Sequence, residues 1–205
     1  LQASSSIRAH INRVTSYRNA GKRNAMDRRG IHRSKKMILS NSEIVRCIKA
    51  GHFMIDPCAG LEAHSHPFNT SAVDLRLSPE IVIPDEGKPF QIDLRSGSIA
   101  DLWSSNCRVL TITGEQPYSL NKHEFVLART LEKVAFPIRS KKGQISYAAR
   151  VEGRSSLARC GILVHFTAPT IHSGFEGTIT LEIINLGPSG FLLFPEMSVC
   201  QLIIE

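Results

Sequence analysis

Two cationic and two hydroxyl side chains fall within six residues of one another near position 155. They are Arg154, Ser155, Ser156 and Arg159, and Gly153 comes directly before them. Hydroxyls, backbone N–H groups and guanidinium forks are groups that bind polyphosphates. The cluster therefore predicts a phosphate-binding turn, and an ordinary solvated turn of the same composition is the alternative.

Glu182 is a second candidate, because it interrupts the apolar run at 179–184. A carboxylate that points from such a strand into a crowded pocket could act as a general base. The alternative is that Glu182 faces solvent on the polar side of its strand.

The elements that must position these residues are mostly short strands. Runs of apolar and β-branched residues separated by Gly, Pro or Ser predict strands at 53–56, 71–78, 80–84, 108–113, 124–136, 145–153, 161–169, 177–187, 190–194 and 198–205. Many short strands with frequent turns indicate an all-β sandwich, jelly roll or barrel. No alternating βαβ pattern is present, which disfavours parallel α/β folds.

One helix is predicted, within residues 37–51, after a short strand. Ser40 can cap its N-terminus, and Glu43 follows three residues later, which is the spacing of a capping box. Gly51 supplies the stop signal.

The charge of the 205-residue chain is unevenly distributed. Residues 1–36 hold ten Lys/Arg and one acid, whereas residues 37–205 hold fifteen Lys/Arg and seventeen acids, a net −2. The formal charge of +7 therefore belongs to a basic leader over 1–36. We predict that this leader is a disordered extension of the domain at 37–205, and a mitochondrial transit peptide or a nucleic-acid-binding arm are the alternatives.

Composition and missing motifs exclude several classes of protein. No apolar run is long enough to span a membrane, so no membrane partner is expected. Five cysteines without a CxxC pair predict reduced, buried or half-buried thiols in the cytoplasm. The motifs of dinucleotide sites, P-loops, zinc peptidases, serine hydrolases and zinc nucleobase deaminases are absent. His64 and His66 have no third ligand at a convincing spacing, so a surface loop is predicted there instead of a metal site.

The order of several motifs resembles the dCTP deaminase branch of the trimeric dUTPase superfamily. The matching pieces are MILSNSEI (37–44), SAVDLRLS (71–78), EFVLARTLE (124–132), RVEGRSSLAR (150–159), GILVHFTA (161–168), GFEGTITLEI (174–183) and PEMSVCQL (195–202). The resemblance implies a distorted jelly-roll β-barrel that assembles as a homotrimer with its active sites between subunits. It also implies dCTP as substrate, with Mg²⁺ carried on the triphosphate and no zinc.

The resemblance further assigns catalytic roles. Glu182 would be the general acid/base that takes a proton from water, so that hydroxide attacks C4 of cytosine and ammonia leaves. Ser155 and Arg159 would position this water and its neighbours.

Substrate-binding roles follow in the same way. Arg154 and Ser156 would lie near the triphosphate, the backbone of Thr167 and Ala168 would bind the base edge, and Phe175 would pack against the deoxyribose. Asp74 matches a shared position of the superfamily, and its role here is either structural or functional.

Three departures from the family pattern bear on function. His172 replaces an aspartate that contacts the sugar 3′-hydroxyl and that activates water in dUTPases, so the replacement argues against dUTPase or bifunctional activity. The family normally continues past the position of Glu205 into a tail that closes over the triphosphate. The loops at 85–106 and 140–147 also differ from the branch.

The sequence therefore predicts a zinc-independent enzyme that deaminates dCTP to dUTP. A non-catalytic nucleotide-binding or regulatory relative is the alternative, favoured by His172 and the missing tail. Nucleic acid is expected as a partner only through the basic leader.

Overall fold

Two helices and eleven strands make up the computed structural model, which describes residues 38–58, 60–85, 93, 95, 106–139, 141 and 144–205. The helices are α1 (Asn41–Lys49) and α2 (Ser155–Arg159). The strands are β1 (Met54–Asp56), β2 (Val73–Pro84), β3 (Cys107–Thr111), β4 (Tyr118–Leu120), β5 (Phe125–Ala135), β6 (Ala149–Gly153), β7 (Ile162–Leu163), β8 (Thr170–Ile171), β9 (Glu176–Asn185), β10 (Phe191–Leu193) and β11 (Ser198–Ile204). The predicted leader at 1–36 and most of the loop at 85–106 lie outside the described residues.

Nine of the strands form one curled sheet, in the order β7-β9-β5-β2-β11-β6-β8, with β1 on β5 and β3 on β2. β4 and β10 form a separate antiparallel pair. Residues with no exposed side-chain surface, such as Leu75, Leu77, Leu181 and Leu202, fill the core on one face of this sheet. The predicted fold class, an all-β distorted barrel with a short N-terminal helix, is confirmed.

The predicted helix α1 begins with a complete capping box. The Glu43 N–H donates to Ser40 Oγ at 3.4 Å, and the Ser40 N–H donates to Glu43 Oε2 at 3.0 Å. Gly51 follows the helix with φ +65°, a conformation that glycine adopts without strain. Ile44 and Cys47 face the core from this helix.

β2 is one long strand where the sequence predicted two. Its pairing with β5 shifts register between Leu77 and Ile81. Pro79 lies in this shift, where its missing N–H does not break a ladder, while its carbonyl accepts from the Ile112 N–H at 2.8 Å. The proline marks an irregularity within the strand and not its end.

Two glycines hold β7 close to the end of β9. Gly161 has φ +89°, and a Cβ at either Gly161 or Gly187 would overlap the backbone of the facing segment. The Leu186 N–H donates to the Gly161 carbonyl at 2.8 Å in the same contact. Because α2 immediately precedes Gly161, this backbone contact fixes where α2 meets the sheet.

The two ends of the folded unit lie side by side. The Leu39 N–H donates to the Ile204 carbonyl at 2.9 Å, and Glu205 exchanges two backbone hydrogen bonds with Ala148. The segment that leads into α1 is therefore joined to the last strand.

Candidate active site

The RSSLAR residues, predicted as a turn, form the short helix α2. It follows β6 directly, has no buried residue, and has no side-chain cap at its N-cap residue Arg154. Ser155, Ser156 and Arg159 are exposed. The helix therefore presents two hydroxyls and one guanidinium on an exposed surface, where a ligand can reach them.

Arg154 differs from Ser155, Ser156 and Arg159 because its side chain forms an ion pair within the chain. Its Nη1 lies 2.9 Å from Asp74 Oδ2, and 30% of the Arg154 side chain is exposed. Gln201 Nε2 donates to Asp74 Oδ1 at 2.8 Å. A buried carboxylate thus lies between a guanidinium and an amide.

Glu182 lies on β9, opposite Leu127 of β5, between the buried Leu181 and Ile183. Strand alternation turns its side chain away from the core, and the residue is half-buried. The Phe166 N–H donates to Glu182 Oε2 at 3.3 Å. The carboxylate is therefore oriented by a backbone donor and is not fully exposed to solvent.

Thr167 and Ala168 continue the loop that contacts Glu182. Both are exposed, and no hydrogen bond to another described residue occupies their backbone groups. Their N–H and C=O groups remain available to a ligand. The predicted strand at 161–169 is shorter than expected, because only β7 pairs with β9 and the rest forms this loop.

His172 and Phe175 lie beyond β8, in a turn closed by the hydrogen bond from the Phe175 N–H to the His172 carbonyl at 3.1 Å. The Phe136 N–H donates to the Phe175 carbonyl at 2.9 Å, which attaches the turn to the end of β5. Phe175 borders a cavity of about 210 Å³ that is also lined by Phe53 and Phe136. His172 is exposed.

The single chain brings some of the predicted site residues together and leaves others separate. Glu182 meets the loop that carries Thr167 and Ala168. Among the described residues, no hydrogen bond or ion pair joins Glu182 to Ser155, Arg159 or His172.

The sequence left the role of Asp74 open and did not assign Gln201 to this site. Asp74 lies on the face of β2 opposite its fully buried neighbours Val73 and Leu75. Nothing in the sequence pointed to Gln201, because its contact depends on which strands become neighbours.

The five cysteines are all free thiols, and they differ in how far they are buried. Burial, followed by the nearby Glu132 carboxylate, raises the pKa of Cys200 to about 12, so this thiol stays protonated. Cys160, at the end of α2, is exposed, unlike the prediction of buried or half-buried thiols.

Three further features concern a second cavity, metal ligands and membrane-spanning helices. A second cavity, of about 370 Å³, is lined by residues such as Arg108, Lys122 and His123 and by none of the predicted site residues. Within the described part of the chain, no group of three or more His, Cys, Asp or Glu residues is arranged to hold a metal ion. No helix among the described residues is long and apolar enough to cross a membrane.

The fold and the sequence together place the protein in a family. The model of the dCTP deaminase-like family matches residues 38–205, and the chain belongs to this family. This confirms the resemblance drawn from the motifs.

Named relatives support the same assignment. A "dCTP deaminase, dUMP-forming" of Methanosphaera stadtmanae is 37% identical over 172 residues, covering 82% of this chain and 78% of the relative. A "dCTP deaminase" of Rhodospirillum rubrum is 34% identical over 171 residues, covering 82% of each chain.

A solved structure shares the fold. The dCTP deaminase of Agrobacterium tumefaciens superposes with a TM-score of 0.58 at 17% identity, over 82% of this chain and 47% of that longer chain.

Proposed function

We propose that the protein is a dCTP deaminase that hydrolyses dCTP to dUTP and ammonia, with Glu182 as the general acid/base. The observation that carries this proposal is the half-buried Glu182 carboxylate, oriented by the Phe166 N–H within a chain of the dCTP deaminase-like family. Its relatives of 32–37% identity are named for deamination of the same nucleotide.

Glu182 can serve as both base and acid in this reaction. Its Oε2 accepts the Phe166 N–H, while Oε1 takes no hydrogen bond from a described residue and is free to accept one from water. Glu182 takes a proton from the water, and the hydroxide adds to C4 of cytosine. The same carboxylic acid delivers this proton to N3. Glu182 then takes the proton of the new C4 hydroxyl and passes it to the amino group, so that the bond from C4 to the amino nitrogen breaks, ammonia leaves and the C4 oxygen becomes a carbonyl. One water is consumed for each ammonia released.

Ser155 and Arg159 are proposed to hold the water and the groups around it. Their exposure on α2 leaves both side chains able to turn toward a ligand. Attack on C4 builds negative charge on the ring, and a fixed donor or cation near that charge stabilises the transition state.

The triphosphate is assigned to Arg154 and Ser156. A guanidinium fork and a hydroxyl fit phosphate oxygens better than they fit a bare cation. Mg²⁺ would therefore be held by the triphosphate and its waters near these two residues. When bound, Mg²⁺ supplies partial neutralisation of the phosphate charge.

The base and sugar are assigned to the loops on either side of β8. The unpaired backbone groups of Thr167 and Ala168 suit the cytosine edge, which carries both donors and acceptors. The half-buried ring of Phe175 is proposed to pack against the deoxyribose, and His172 can exchange one hydrogen bond with its 3′-hydroxyl.

We propose that the active protein is a homotrimer with shared sites. Phe166 is 44% exposed beside Glu182, and Leu186 is 52% exposed beside Gly161. Apolar side chains exposed around a site favour coverage by another copy of the chain. Light scattering should give three times the mass of the 22.7 kDa chain, and a monomer would contradict shared sites.

The product distinguishes two candidate reactions. His172 in place of the family aspartate favours dUTP, because imidazole cannot supply the carboxylate that activates water for attack on the triphosphate. Five relatives at 35–37% identity are named dUMP-forming, and their names favour dUMP as the second candidate.

Product analysis tests the proposal. The full chain is mixed with dCTP and Mg²⁺, the nucleotides are separated by chromatography, and ammonia is assayed. We expect dUTP and ammonia in equal amounts, without pyrophosphate. Formation of dUMP and pyrophosphate would support the second candidate, and dCTP binding without turnover would support a regulatory relative.

Zinc independence is part of the proposal, since Glu182 supplies the base without a metal-bound water. A chelator selective for zinc should leave the rate unchanged while Mg²⁺ is present in excess. Loss of activity that zinc restores would contradict this part.

A further inference from the structure

Asp74 is a buried carboxylate on the outward face of β2. Its neighbours Val73 and Leu75 are fully buried in the core, yet Asp74 on the opposite face is also only 8% exposed. An ionised carboxylate removed from water is costly unless it is paired. The chain must therefore supply partners, and it does so from β11 and from the residue that follows β6.

The partners of Asp74 come from across the sheet. β11 lies between β2 and β6, and Gln201 on β11 is opposite Asp74 on one side and Glu152 on the other. Arg154 is two residues beyond Glu152 and reaches over β11 to Asp74, where Nη1 and Oδ2 are 2.9 Å apart. Asp74 on β2 is thus contacted by Gln201 on β11 and by Arg154, which follows the end of β6.

The contact with Asp74 is the only polar side-chain contact of Arg154 among the described residues. Nη1 is buried and lies within ion-pairing distance without an aligned hydrogen bond, so charge and not hydrogen-bond geometry holds it. Nε and Nη2 make no hydrogen bond to the described residues. The contact fixes the guanidinium and leaves two nitrogens able to bind an anion.

From these two contacts we infer that Asp74 is a positioning residue, which holds the Arg154 guanidinium in place for the triphosphate while Gln201 orients the Asp74 carboxylate. The inference rests on the proposed function, because that function assigns the triphosphate to Arg154. An arginine already ordered before binding loses less side-chain freedom when the nucleotide arrives.

A neighbouring ion pair provides a matched control. Arg76, two residues beyond Asp74 on β2, donates from Nε to the buried Glu132 at 2.7 Å, and its N–H donates to the same carboxylate at 2.8 Å. Neither residue of this pair belongs to the proposed site. Glu132→Gln and Asp74→Asn therefore make the same chemical change at two buried pairs.

The kinetic test compares these two variants in the full chain. Both substitutions should lower Tm, but only Asp74→Asn should raise KM for dCTP, by about tenfold, with kcat changed less than about twofold. An unchanged KM in Asp74→Asn, or an equal rise in Glu132→Gln, would overturn the inference.

A double-mutant cycle tests whether Asp74 acts through Arg154. In the Arg154→Ala background, Asp74→Asn should cause no further rise in KM, because the group it positions is gone. Additive effects on KM would overturn the inference. If Asp74→Asn fails to fold, Gln201→Met serves instead, and it should raise KM in the same direction by a smaller factor.

A measurement without nucleotide separates this inference from the proposed function. ¹⁵N relaxation of the Arg154 Nε–H group should report a rigid side chain in the unsubstituted protein and a mobile one in Asp74→Asn. Equal mobility would overturn the positioning role whatever the enzyme does. The mobility change could also occur in a protein that neither binds nor deaminates dCTP. That result would overturn the proposed function, but it would still support the role of Asp74 in holding the Arg154 side chain.

Discussion

Arg154 is the N-cap residue of the short helix α2 and Arg159 is its last residue, yet the two arginines lie in different surroundings. Arg154 is half-buried and ion-paired to Asp74, whereas Arg159 is exposed and has no ion pair among the described residues. The ion pair with Asp74 on β2 holds the Arg154 side chain before any ligand binds. Arg159 has no such partner among the described residues, so the two arginines should respond differently to the same substitution.

The largest effect on activity is expected at Glu182, whose carboxylate is oriented by the Phe166 N–H of the same chain. Glu182→Gln keeps the size of the side chain but removes the proton acceptor, and the loss of acid/base catalysis should lower kcat by about a thousandfold or more. Ammonia release measures this loss. Tm and oligomer mass should stay unchanged, and Glu80→Gln, at an exposed carboxylate on β2, should leave kcat unaltered. Normal turnover in Glu182→Gln would remove Glu182 from the mechanism.

The next largest effect concerns the contact that anchors α2 to the sheet. Gly161→Ala would force a Cβ against Gly187 at a positive φ, so we expect a loss of about 3 kcal/mol in the free energy of unfolding. Urea denaturation measures this loss. Gly114→Ala is the control, since a Cβ there meets nothing within 4 Å. Equal stability of the two variants would show that the anchor is not needed.

Substitution of the two arginines tests the comparison directly. Arg154→Ala leaves the Asp74 carboxylate buried without its cation and should cost about 2 kcal/mol of stability as well as dCTP affinity. Arg159→Ala should weaken dCTP binding and leave Tm unchanged. Thermal denaturation and isothermal titration give the two quantities. If both variants lose the same stability, the proposed difference between the two ends of α2 is wrong.

The smallest effect is expected at an exposed ion pair. Lys133 Nζ lies 2.6 Å from Glu176 Oε1, and the hydrogen bond from Lys133 lowers the pKa of Glu176 below 4.5. Because the pKa of Glu176 is lower in the folded state, its ionised carboxylate stabilises the fold at pH values above its unfolded-state pKa. This stabilisation is lost as the pH falls through the folded-state pKa. Lys133→Met should therefore change Tm only slightly at pH 7, and the difference should vanish in acid. A large change at pH 7 would mean that an exposed pair matters as much as the buried one at Arg154.

Local patterns predicted the elements whose signals lie within a few residues. The Ser40 and Glu43 capping box correctly gave the start of α1. The short helix α2 was missed because five residues are too few for helical periodicity to emerge. Pro79 misled the prediction for β2 because proline is tolerated at a register shift as well as at a strand end.

The candidate site was only partly predictable for a different reason. Glu182 could be found because it interrupts an apolar strand, and this signal lies within a few neighbouring residues. The pairing of Asp74 with Gln201 and Arg154 joins residues up to 127 positions apart and depends on strand order and register. The contact between Phe166 and Glu182 likewise depends on β7 lying beside β9. The predicted roles of the site residues stay predictions until variants are measured.

The hydrogen bond from the Leu39 N–H to the Ile204 carbonyl offers a practical means of observing the molecule. Two fluorescent dyes, attached at Ile38 and at Glu205, would lie close together in the folded protein and move far apart in the denatured chain. Energy transfer between them would therefore report folding through groups that take no part in the proposed chemistry. The same adjacency would let a short linker join these two positions, so that the chain could be opened at a surface turn such as the one at Gly114.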